Sequence, residues 1–318
     1  MIVVPPSTEI LANLDEQSIP VRIEGCGRLC YKSEDKITAE SAPGFIKTIL
    51  KHGHNSVAEM AVVTLEVMVE KESIAAKLYA VLPKYLTIDK FDKNILLITA
   101  SMRGFRELYI DHGHLKIVKS ITSYLLQHHE LFFKDITPER GIVNQAGVMV
   151  KKLYMSEIEN LPPFIFARHR FVAVKFTVNR AVTHEMVRHR PCSFLQESQR
   201  YCRYGTEKFG NQVTFIKPMF YAEDSNEYTI WQKAMEETES LYLKLLETST
   251  PQAARTVLPN SCKTELIVFC SLIQWAHIFK LRATKGADPS MREVMIPLFK
   301  EFKELFPQVY GELDLDLT

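Results

Sequence analysis

The densest group of chemically active side chains lies in one short stretch, RHRPCSFLQESQRY, which ends at Tyr201. Hydroxyl and amide side chains stand between its basic residues, and Glu197 is its only acid. The basic residues are Arg188, His189, Arg190 and Arg200, and the neutral polar ones are Ser193, Gln196, Ser198 and Gln199. Guanidinium groups bind phosphate through paired hydrogen bonds, and hydroxyls satisfy its remaining oxygens. The stretch therefore predicts a site for an anionic ligand.

Two arginines farther along the chain are candidates for the same site. Arg255 lies in AARTVLP, and Arg282 follows an apolar run in FKLRA. A charge at the end of an apolar helix needs a partner if it is partly buried. An anionic ligand would meet that need, and so would the dipole at the C-terminus of the helix. Both interpretations of Arg282 stay open from spacing alone.

Other reactive patterns favour simpler interpretations. GCGRLC (25–30) lacks the third glycine and the preceding apolar strand of a dinucleotide-binding fingerprint. The triplet Arg168, His169 and Arg170 is interpreted as the solvated entry to a strand. The ten histidines form no HxxxH or HExxH pair, so no metal site is predicted. Cys192 could be a nucleophile with its pKa lowered by arginines, but no base is evident near it in sequence.

Composition limits the classes of function. Lys and Arg number 39 against 38 Asp and Glu, which gives a net charge of +1 and disfavours nucleic acid as the main partner. The N-terminal segment has no basic region and is broken at Pro5-Pro6, so no signal peptide is expected. The six cysteines form no CxxC pair, which favours reduced thiols and a cytoplasmic location. The apolar run at 266–281 contains polar residues and is predicted to be a buried helix, with no membrane span.

The elements that must position these residues include both strands and helices. Alternating apolar residues predict strands at 61–70 and 171–178. The segment NRAVTHEMVRHR predicts a helix directly after the second strand, a rigid support for the basic stretch. Residues 72–165 are predicted to be mainly helical, and the chain from Asn226 onward is predicted to be helical with a break at Thr250-Pro251. Because βαβ alternation is absent from this pattern, the sequence predicts an α+β fold.

These motifs together resemble the flavin-dependent thymidylate synthases. The hallmark of that family is RHR, then seven residues, then a serine, and here Arg188-His189-Arg190 is followed by PCSFLQE and Ser198. The similarity extends along TVNRAVTHEMVRHRPCSFLQESQRYCRY. Four further blocks occur in the family's order: RLCYKSEDKIT (28–38), GHNSVAE (53–59), PQAARTVLPNSCKTE (251–265) and FKLR (279–282).

The resemblance implies a fold and an activity. The fold is that of the thymidylate synthase-complementing proteins, an antiparallel sheet flanked by long helices. The activity is reductive methylation of dUMP to dTMP, with methylenetetrahydrofolate as the one-carbon donor and FAD reduced by NADPH. The family's active sites are assembled from several subunits of a homotetramer. No cysteine attacks the uracil in this family, in agreement with the lack of an evident activated thiol here.

The resemblance also implies a role for individual residues. Those implied to contact the flavin are His54, Ser56, Arg188, His189, Arg190 and His277. Those implied to contact the dUMP phosphate and sugar are Ser198, Arg200 and Arg255, with Gln196 and Glu185 lining the nucleotide site. Arg282 would bind the uracil edge, where a fixed cation stabilises negative charge that develops on the ring.

The sequence departs from the family pattern at positions that matter for the flavin. The long C-terminal helix of the family carries an Asn and an Arg that touch the flavin, but Ser271 and Ile273 stand at those places here. The histidine that follows FKLR in the family is missing, and Met60 replaces the last histidine of the GHNSVAE block.

A further departure is an insertion at 72–165, within an expected single domain of residues 1–318. Within this insertion, LLITASMRGFRELY repeats the lost flavin-binding pattern. Arg103 and Arg106 are therefore hypothesised to take over the lost contacts. The alternative is a helix with two surface arginines.

Two other functions stay open. One is a related enzyme that alkylates a different pyrimidine nucleotide at C5. The other is a nucleotide-binding homologue that lacks flavin and catalysis. The changes at Ser271 and Ile273 favour this homologue, whereas the retained RHR–Ser motif, Arg255 and Arg282 favour an enzyme.

Overall fold

The structure, a computed structural model, describes residues 1–139 and 141–317 and combines three β-sheets with α-helices. The strands are β1 (Ile2–Val4), β2 (Ser7–Ile10), β3 (Val62–Val69), β4 (Leu86–Asp92), β5 (Ile95–Ser101), β6 (Val148–Lys152), β7 (Phe171–Asn179), β8 (Ser193–Gln196), β9 (Thr214–Ile216) and β10 (Lys263–Ser271). The helices are α1 (Ile19–Leu29), α2 (Ser41–Lys51), α3 (Glu72–Ala80), α4 (Met102–His112), α5 (Lys116–His128), α6 (Met155–Glu159), α7 (Pro163–His169), α8 (Arg180–Met186), α9 (Asn226–Thr248), α10 (Pro251–Ala254), α11 (Leu272–Arg282), α12 (Pro289–Leu305) and α13 (Pro307–Tyr310).

Two four-stranded sheets form the centre of the molecule. The first sheet has the order β2-β7-β10-β8, and the second sheet has the order β4-β5-β3-β6. Every neighbouring pair in both sheets is antiparallel. A third, two-stranded sheet pairs β1 with β9 in parallel. These sheets, together with the helices, confirm the predicted α+β class.

Hydrophobic packing joins each sheet to its helices. The second sheet packs against α1, α2, α4 and α5, and this cluster also contains Ile267 and Phe269 of the first sheet. The opposite side of the first sheet packs on α11 and α12, where Trp275, Phe279 and Phe302 are fully buried. Aromatic side chains of this size bury the most apolar area, so they dominate the core energetically.

The basic stretch is supported by the first sheet, as the sequence predicts. Strand β7 ends at Asn179, whose side-chain oxygen accepts a hydrogen bond from the Val182 backbone N–H at 3.0 Å and caps α8. Helix α8 ends at Met186, so the RHR triplet lies in the turn between α8 and β8. The predicted strands at 61–70 and 171–178 are confirmed as β3 and β7, and the helix predicted over NRAVTHEMVRHR is confirmed as α8, which is shorter than predicted because it ends at Met186.

The prediction of one buried helix at 266–281 is wrong. The run divides into the end of β10 and most of α11, with the change at Ser271. Strand β10 lies between β7 and β8 and is buried on both faces from Leu266 onward, and there its side chains are apolar up to Cys270. A continuous apolar run fits a buried strand as well as a buried helix, so periodicity alone does not separate them.

The prediction that residues 72–165 are mainly helical is incomplete for the same reason. This segment contains α3 to α6 but also β4, β5 and β6, three of the four strands of the second sheet. Strand β5, with the sequence ILLITAS, is a buried run that continues directly into α4. The expected single domain stays a prediction. Among the described residues, no helix is both long and apolar enough to cross a membrane.

Candidate active site

A cleft of about 580 Å³ lies along β8 and the turn that follows it, and it is called the Ser198 cleft below. Its walls come from distant parts of the chain: the turn around His54, Arg103 of α4, and the segment from Phe194 to Tyr201. Arg255, at the end of α10, adds a further cation. A concave site with several convergent polar groups is typical of a small-molecule binding site.

Two arginines of the Ser198 cleft carry positive charge that no carboxylate of the described residues neutralises. Arg200 is exposed, and its guanidinium carbon lies 5.4 Å from the centre of the Tyr201 ring. Arg255 is half-buried in a single 3-10 turn, and the described part of the chain gives its side chain no hydrogen-bond partner. Uncompensated cations in a concave wall concentrate anions from solution.

Hydrogen bonds hold the polar residues between these arginines in place. The Ser198 backbone N–H donates to the Cys30 carbonyl at 2.9 Å, which ties the turn to the end of α1. The Gln196 side-chain amide donates to the hydroxyls of Thr183 at 3.0 Å and Thr264 at 3.3 Å. The turn and the amide are therefore positioned before any ligand arrives, as a binding site requires.

Glu197, the one acid of the basic stretch, does not neutralise the arginines of the cleft. Glu197 is buried, and it accepts hydrogen bonds from the Tyr204 hydroxyl at 2.8 Å and from Lys263 at 2.9 Å. Burial, with the nearby Glu197 charge, raises the pKa of Tyr204 well above its usual value, so the phenol stays a donor. Glu197 lines the cleft, but its charge is compensated by Lys263, so the charges of Arg200 and Arg255 remain available.

An aromatic and imidazole pair lines the cleft next to the Ser198 turn. The Tyr31 hydroxyl lies 3.2 Å from Nδ1 of His54, and the Tyr31 ring lies 5.3 Å from the Tyr201 ring. Loss of hydration and nearby Cys30 raise the pKa of Tyr31, so its hydroxyl can donate to His54. Gly53 has a φ of +70°, a conformation that favours glycine and turns the chain so that His54 reaches the cleft.

A second group of predicted residues forms a separate arrangement, called the His189 cluster: Glu185, His189, His277 and Arg282. Arg282 pairs with the Glu185 carboxylate, and its Nε donates to Nε2 of His189 at 3.0 Å. The His277 ring stands edge-on to His189 at 6.2 Å. Loss of hydration lowers the pKa of His189 to about 4, and the Arg282 charge acts in the same direction. His189 is therefore neutral near pH 7 and accepts a hydrogen bond at Nε2.

The other two residues of the RHR triplet are exposed on either side of His189. Arg190 donates to the carbonyl oxygens of Val187 and His189, each at 2.6 Å, and its guanidinium lies 5.7 Å from the centre of the Phe194 ring. The Arg188 backbone N–H donates to the Glu185 carbonyl at 3.3 Å, but its side chain has no hydrogen bond or ion pair to the described residues.

The predicted site residues thus fall into two groups within one chain. The Ser198 cleft brings together His54, Ser56, Gln196, Ser198, Arg200 and Arg255. The residues that do not line this cleft are Glu185, Arg188, His189, Arg190, His277 and Arg282. The basic stretch, which the resemblance assigns partly to the flavin and partly to dUMP, is therefore divided in the structure: its second half lines the cleft and its RHR triplet does not.

The structure separates the two arginines that were hypothesised to act together in the insertion. Arg103 lines the Ser198 cleft. Arg106 forms a double hydrogen bond with Asp135 at 2.6 and 2.7 Å, and it does not line the cleft. Arg180, which the sequence motifs did not single out, also lines the cleft. Its position directly after a predicted strand was the available signal, because strand ends commonly carry functional residues.

The interpretation of Arg168-His169-Arg170 as a solvated strand entry is wrong. His169 is 1% exposed and Arg170 is 8% exposed. His169 bonds to Asp89 at 3.0 Å, and Arg170 bonds to Asp15 at 2.5 Å. These acids lie far from the triplet in sequence, and buried charges persist when such partners compensate them.

The cysteines do not offer a reactive thiol at the cleft. Cys30 lines the cleft, and burial raises its pKa to about 12. Burial likewise raises the pKa of Cys202 to about 12. A thiol with such a pKa is protonated at neutral pH and is a poor nucleophile. Among the described residues, no group of three or more His, Cys, Asp or Glu side chains could hold a metal ion.

Comparison with known proteins connects these residues to one family. The sequence profile of the family described as thymidylate synthase complementing protein matches residues 15–77 and 165–308, more than half of the chain. The flavin-dependent thymidylate synthase of Pyrococcus furiosus is 37% identical over 124 residues, which cover 39% of this chain and 50% of that protein. The enzyme of the same name from Corynebacterium efficiens is 29% identical over 155 residues, which cover 44% and 60%. The chain therefore spans half to three fifths of the length of these relatives.

A solved structure is also similar in part. The UMP/dUMP methylase PolB from Streptomyces cacaoi, crystallised with 5-Br UMP, aligns with a TM-score of 0.40 and 20% identity. The alignment covers 46% of this chain and 73% of PolB.

Proposed function

The chain belongs to the thymidylate synthase complementing protein family, and from this premise we propose that it is a flavin-dependent thymidylate synthase. The reaction is the reductive methylation of dUMP to dTMP. The observation that carries the proposal is the Ser198 cleft, where Arg200 and Arg255 flank Ser198 without a carboxylate partner among the described residues.

The nucleotide phosphate accounts for these unpaired charges. A phosphate accepts paired hydrogen bonds from guanidinium groups and further bonds from a hydroxyl. Arg200, Arg255 and Ser198 supply this set from one wall of the cleft. Gln196, fixed by Thr183 and Thr264, lies next to them and would contact the sugar or the base.

The part of the cleft around His54 fits a flavin. His54, Ser56 and Arg103 line it with hydrogen-bonding groups, and the Tyr31 and Tyr201 rings offer flat apolar surface. A flavin needs both, because its ring system is flat and its edge carries hydrogen-bond acceptors. When bound and reduced by NADPH, FAD would supply the hydride that reduces the transferred one-carbon unit. NADPH as the reductant and methylenetetrahydrofolate as the donor complete the proposed reaction.

Arg282 is the residue proposed to act on the uracil during the reaction. Glu185 and His189 fix its guanidinium from two sides, so its position costs little reorganisation. A fixed cation stabilises negative charge that develops on a ring carbonyl oxygen. Neutral His189 does not compete with this charge, because its pKa is about 4. The high pKa of Cys30 agrees with a reaction that needs no thiolate.

The separation of the Ser198 cleft from the His189 cluster is explained by assembly. We propose that copies of this chain combine, as in the homotetramer that the resemblance implies, so that the His189 cluster of one copy faces the cleft of another. Arg188 and Arg190 are exposed beside the His189 cluster, where a neighbouring copy or a bound flavin would cover them. We propose a cytoplasmic location, where the nucleotide and both cosubstrates are present.

The first test is a titration of FAD into the purified protein, followed by flavin absorbance and fluorescence, with and without dUMP. The expected result is saturable binding of FAD and a flavin spectrum that changes when dUMP is added. The control variant is Lys208→Gln, since Lys208 is exposed and pairs with Asp35 away from the cleft. This variant should behave as the wild type does. Binding of dUMP without FAD binding would contradict the proposal.

A second candidate function is a nucleotide-binding homologue without flavin. The observation that favours it is Ile273, an exposed apolar residue on α11 at a place where the family pattern has a flavin-contacting arginine. The same titration decides between the two functions. A related C5-alkylating enzyme would be revealed by a methylated product from dCMP but not from dUMP.

A further inference from the structure

The two central sheets share one strand order. Read from one edge, the second sheet is β6-β3-β5-β4 and the first sheet is β2-β7-β10-β8, with every pair antiparallel. The order along the chain also agrees. A first unit contains β3, α3, β4, β5 and α4, and a second unit contains β7, α8, β8, β10 and α11.

Backbone pairing equates individual positions of the two units without any sequence alignment. In the first unit Ser101, the last residue of β5, stands opposite Val62. In the second unit Ser271, the last residue of β10, stands opposite Phe171. These two pairs make Ser101 structurally equivalent to Ser271. Each of these serines is the N-cap residue of the helix that follows.

Two further backbone bonds obey the same equivalence. Met102 N–H donates to the Ala61 carbonyl at 3.4 Å, and Leu272 N–H donates to the Arg170 carbonyl at 2.9 Å. Both bonds join the first residue of a helix to the residue before a strand. The agreement extends the register beyond the paired strands.

The outer strands are exchanged between the units. Strand β2 precedes the first unit in sequence but pairs with β7 of the second, and β6 precedes the second unit but pairs with β3 of the first. The bonds at their ends match as well: Leu11 N–H donates to the Ala173 carbonyl and Leu153 N–H to the Thr64 carbonyl, both at 2.9 Å. Reciprocal exchange of an edge element is typical of a two-fold dimer, here contained in one chain. The family profile agrees, because its match stops at residue 77 and resumes at 165, six residues before β7.

The units have diverged in a complementary way. The equivalence that places Ser101 on Ser271 also places Arg103 on Ile273 and His112 on Arg282. In the second unit, β8 and β10 are connected by residues 197–262, which carry Ser198, Arg200 and Arg255. In the first unit, the matching strands β4 and β5 are joined by Lys93 and Asn94 alone. Only one of the two related positions therefore has a cleft wall that can hold a phosphate.

We propose that this chain is an internal pair of units that keeps one ligand cleft, and that Arg103 of the first unit supplies this cleft with a flavin contact that the second unit has lost at Ile273. The assignment of the ligand as a flavin rests on the proposed function. Arg103 lines the Ser198 cleft, whereas Ile273 does not.

The hydrogen bonds of Arg103 suit it to a neutral acceptor. Its Nε donates to Glu107 at 2.7 Å and its Nη1 donates to Glu59 at 2.6 Å. Its Nη2 has no bond to the described residues. Two carboxylates already compensate the charge, so Arg103 is fixed in place and its remaining N–H groups suit an uncharged oxygen or nitrogen better than a phosphate. The edge of the flavin ring system presents such acceptors.

The test measures flavin affinity in the full chain for Arg103→Gln, with Glu107→Gln and Ile273→Gln as matched controls. Glu107→Gln removes one of the two ion pairs of Arg103 but keeps the guanidinium and its pair with Glu59, and Ile273→Gln changes the equivalent position of the other unit. Riboflavin, FMN and FAD are each titrated, because they share the ring system but differ in phosphates. Melting temperatures show that each variant folds.

The expected result is that Arg103→Gln weakens binding of all three flavins by roughly tenfold or more, while both controls stay within about twofold of the wild type. Saturated wild-type protein should bind one FAD per chain. Unchanged affinity in Arg103→Gln, a loss confined to FMN and FAD, or an equal loss in Glu107→Gln would overturn the role of Arg103. Binding of two FAD molecules per chain would contradict the inference that only one unit keeps a ligand cleft. If the wild type binds no flavin, it is the proposed function that fails.

Discussion

In the Ser198 cleft, Arg200 and Arg255 have no carboxylate partner among the described residues, whereas in the His189 cluster Arg282 is held by Glu185 and His189. The difference suits two tasks. An unpaired arginine gains most from an incoming phosphate, because no existing ion pair must be broken. A fixed arginine is better suited to charge that appears only during a reaction. The comparison assigns binding to the cleft and catalysis to the cluster.

The sharpest way to break this comparison is to remove the fixed cation. We expect Arg282→Gln to lower kcat about 10²- to 10³-fold, the usual effect of losing one positioned donor to a developing charge. Glu185→Gln keeps the guanidinium and removes one of the groups that fix it, so its loss of kcat should be smaller. Steady-state production of dTMP measures both. A kcat for Arg282→Gln within threefold of the wild type would contradict a catalytic role.

Removing an unpaired cation should change affinity instead. We expect Arg255→Gln to weaken dUMP binding roughly 10- to 100-fold, because hydrogen bonds to charged groups contribute about 1.5–3 kcal/mol. Deoxyuridine, which lacks the phosphate, should bind the variant and the wild type equally. Isothermal titration with both ligands provides the measurement. An equal loss for both ligands would show that Arg255 supports the fold of the cleft and does not bind phosphate.

The protonation state of His189, in the cluster that holds Arg282, predicts how folding stability depends on pH. Its pKa of about 4 in the folded chain lies below the value near 6.5 expected in an unfolded chain. Between pH 6.5 and about 4 the unfolded chain therefore binds more protons than the folded chain. The folding stability contributed by neutral His189 is complete above pH 6.5 and is lost as the pH falls through this window. His129, whose pKa burial lowers to about 4, acts in the same window, and burial also lowers the pKa of His169.

The measurement is chemical denaturation at several pH values. We expect the wild type to lose stability on acidification across this window and His189→Gln to show a shallower slope, by up to about 1.4 kcal/mol per pH unit for one proton. Identical slopes in the two proteins would mean that His189 is protonated in the folded chain.

The smallest effect is expected for the thiol that lines the cleft. Cys30→Ala should change kcat and the KM for dUMP by less than about twofold, because a thiol with a pKa of about 12 does not act as a nucleophile at neutral pH. A loss of kcat of more than 100-fold, with folding intact, would instead indicate covalent catalysis.

Short motifs identified much of the cleft before the structure. His54, Ser198 and Arg255 lie in three separate blocks of sequence, and the structure brings them together. Such blocks can be recognised in the sequence because their residue types have local structural causes. Gly53 is needed for a left-handed turn, and Asn179 marks the point where a strand passes into a helix.

Pairing between residues that are distant in sequence could not be predicted in the same way. Arg170 can be buried because Asp15 compensates its charge, and the residues of the triplet do not indicate which acid would pair with it. The buried strand β10 has the same apolar composition as a core helix, and only its position between β7 and β8 determines its conformation. The exchange of β2 and β6 between units likewise depends on long-range contacts.

The most direct test of the account is the formation of dTMP from dUMP by the purified protein with FAD, NADPH and methylenetetrahydrofolate. Product is measured by chromatography, with Arg282→Gln as the control for contaminating activity. The account predicts dTMP that requires FAD and is nearly absent from the variant. Protein that binds FAD and dUMP but forms no dTMP, or forms it equally without FAD, would contradict the account.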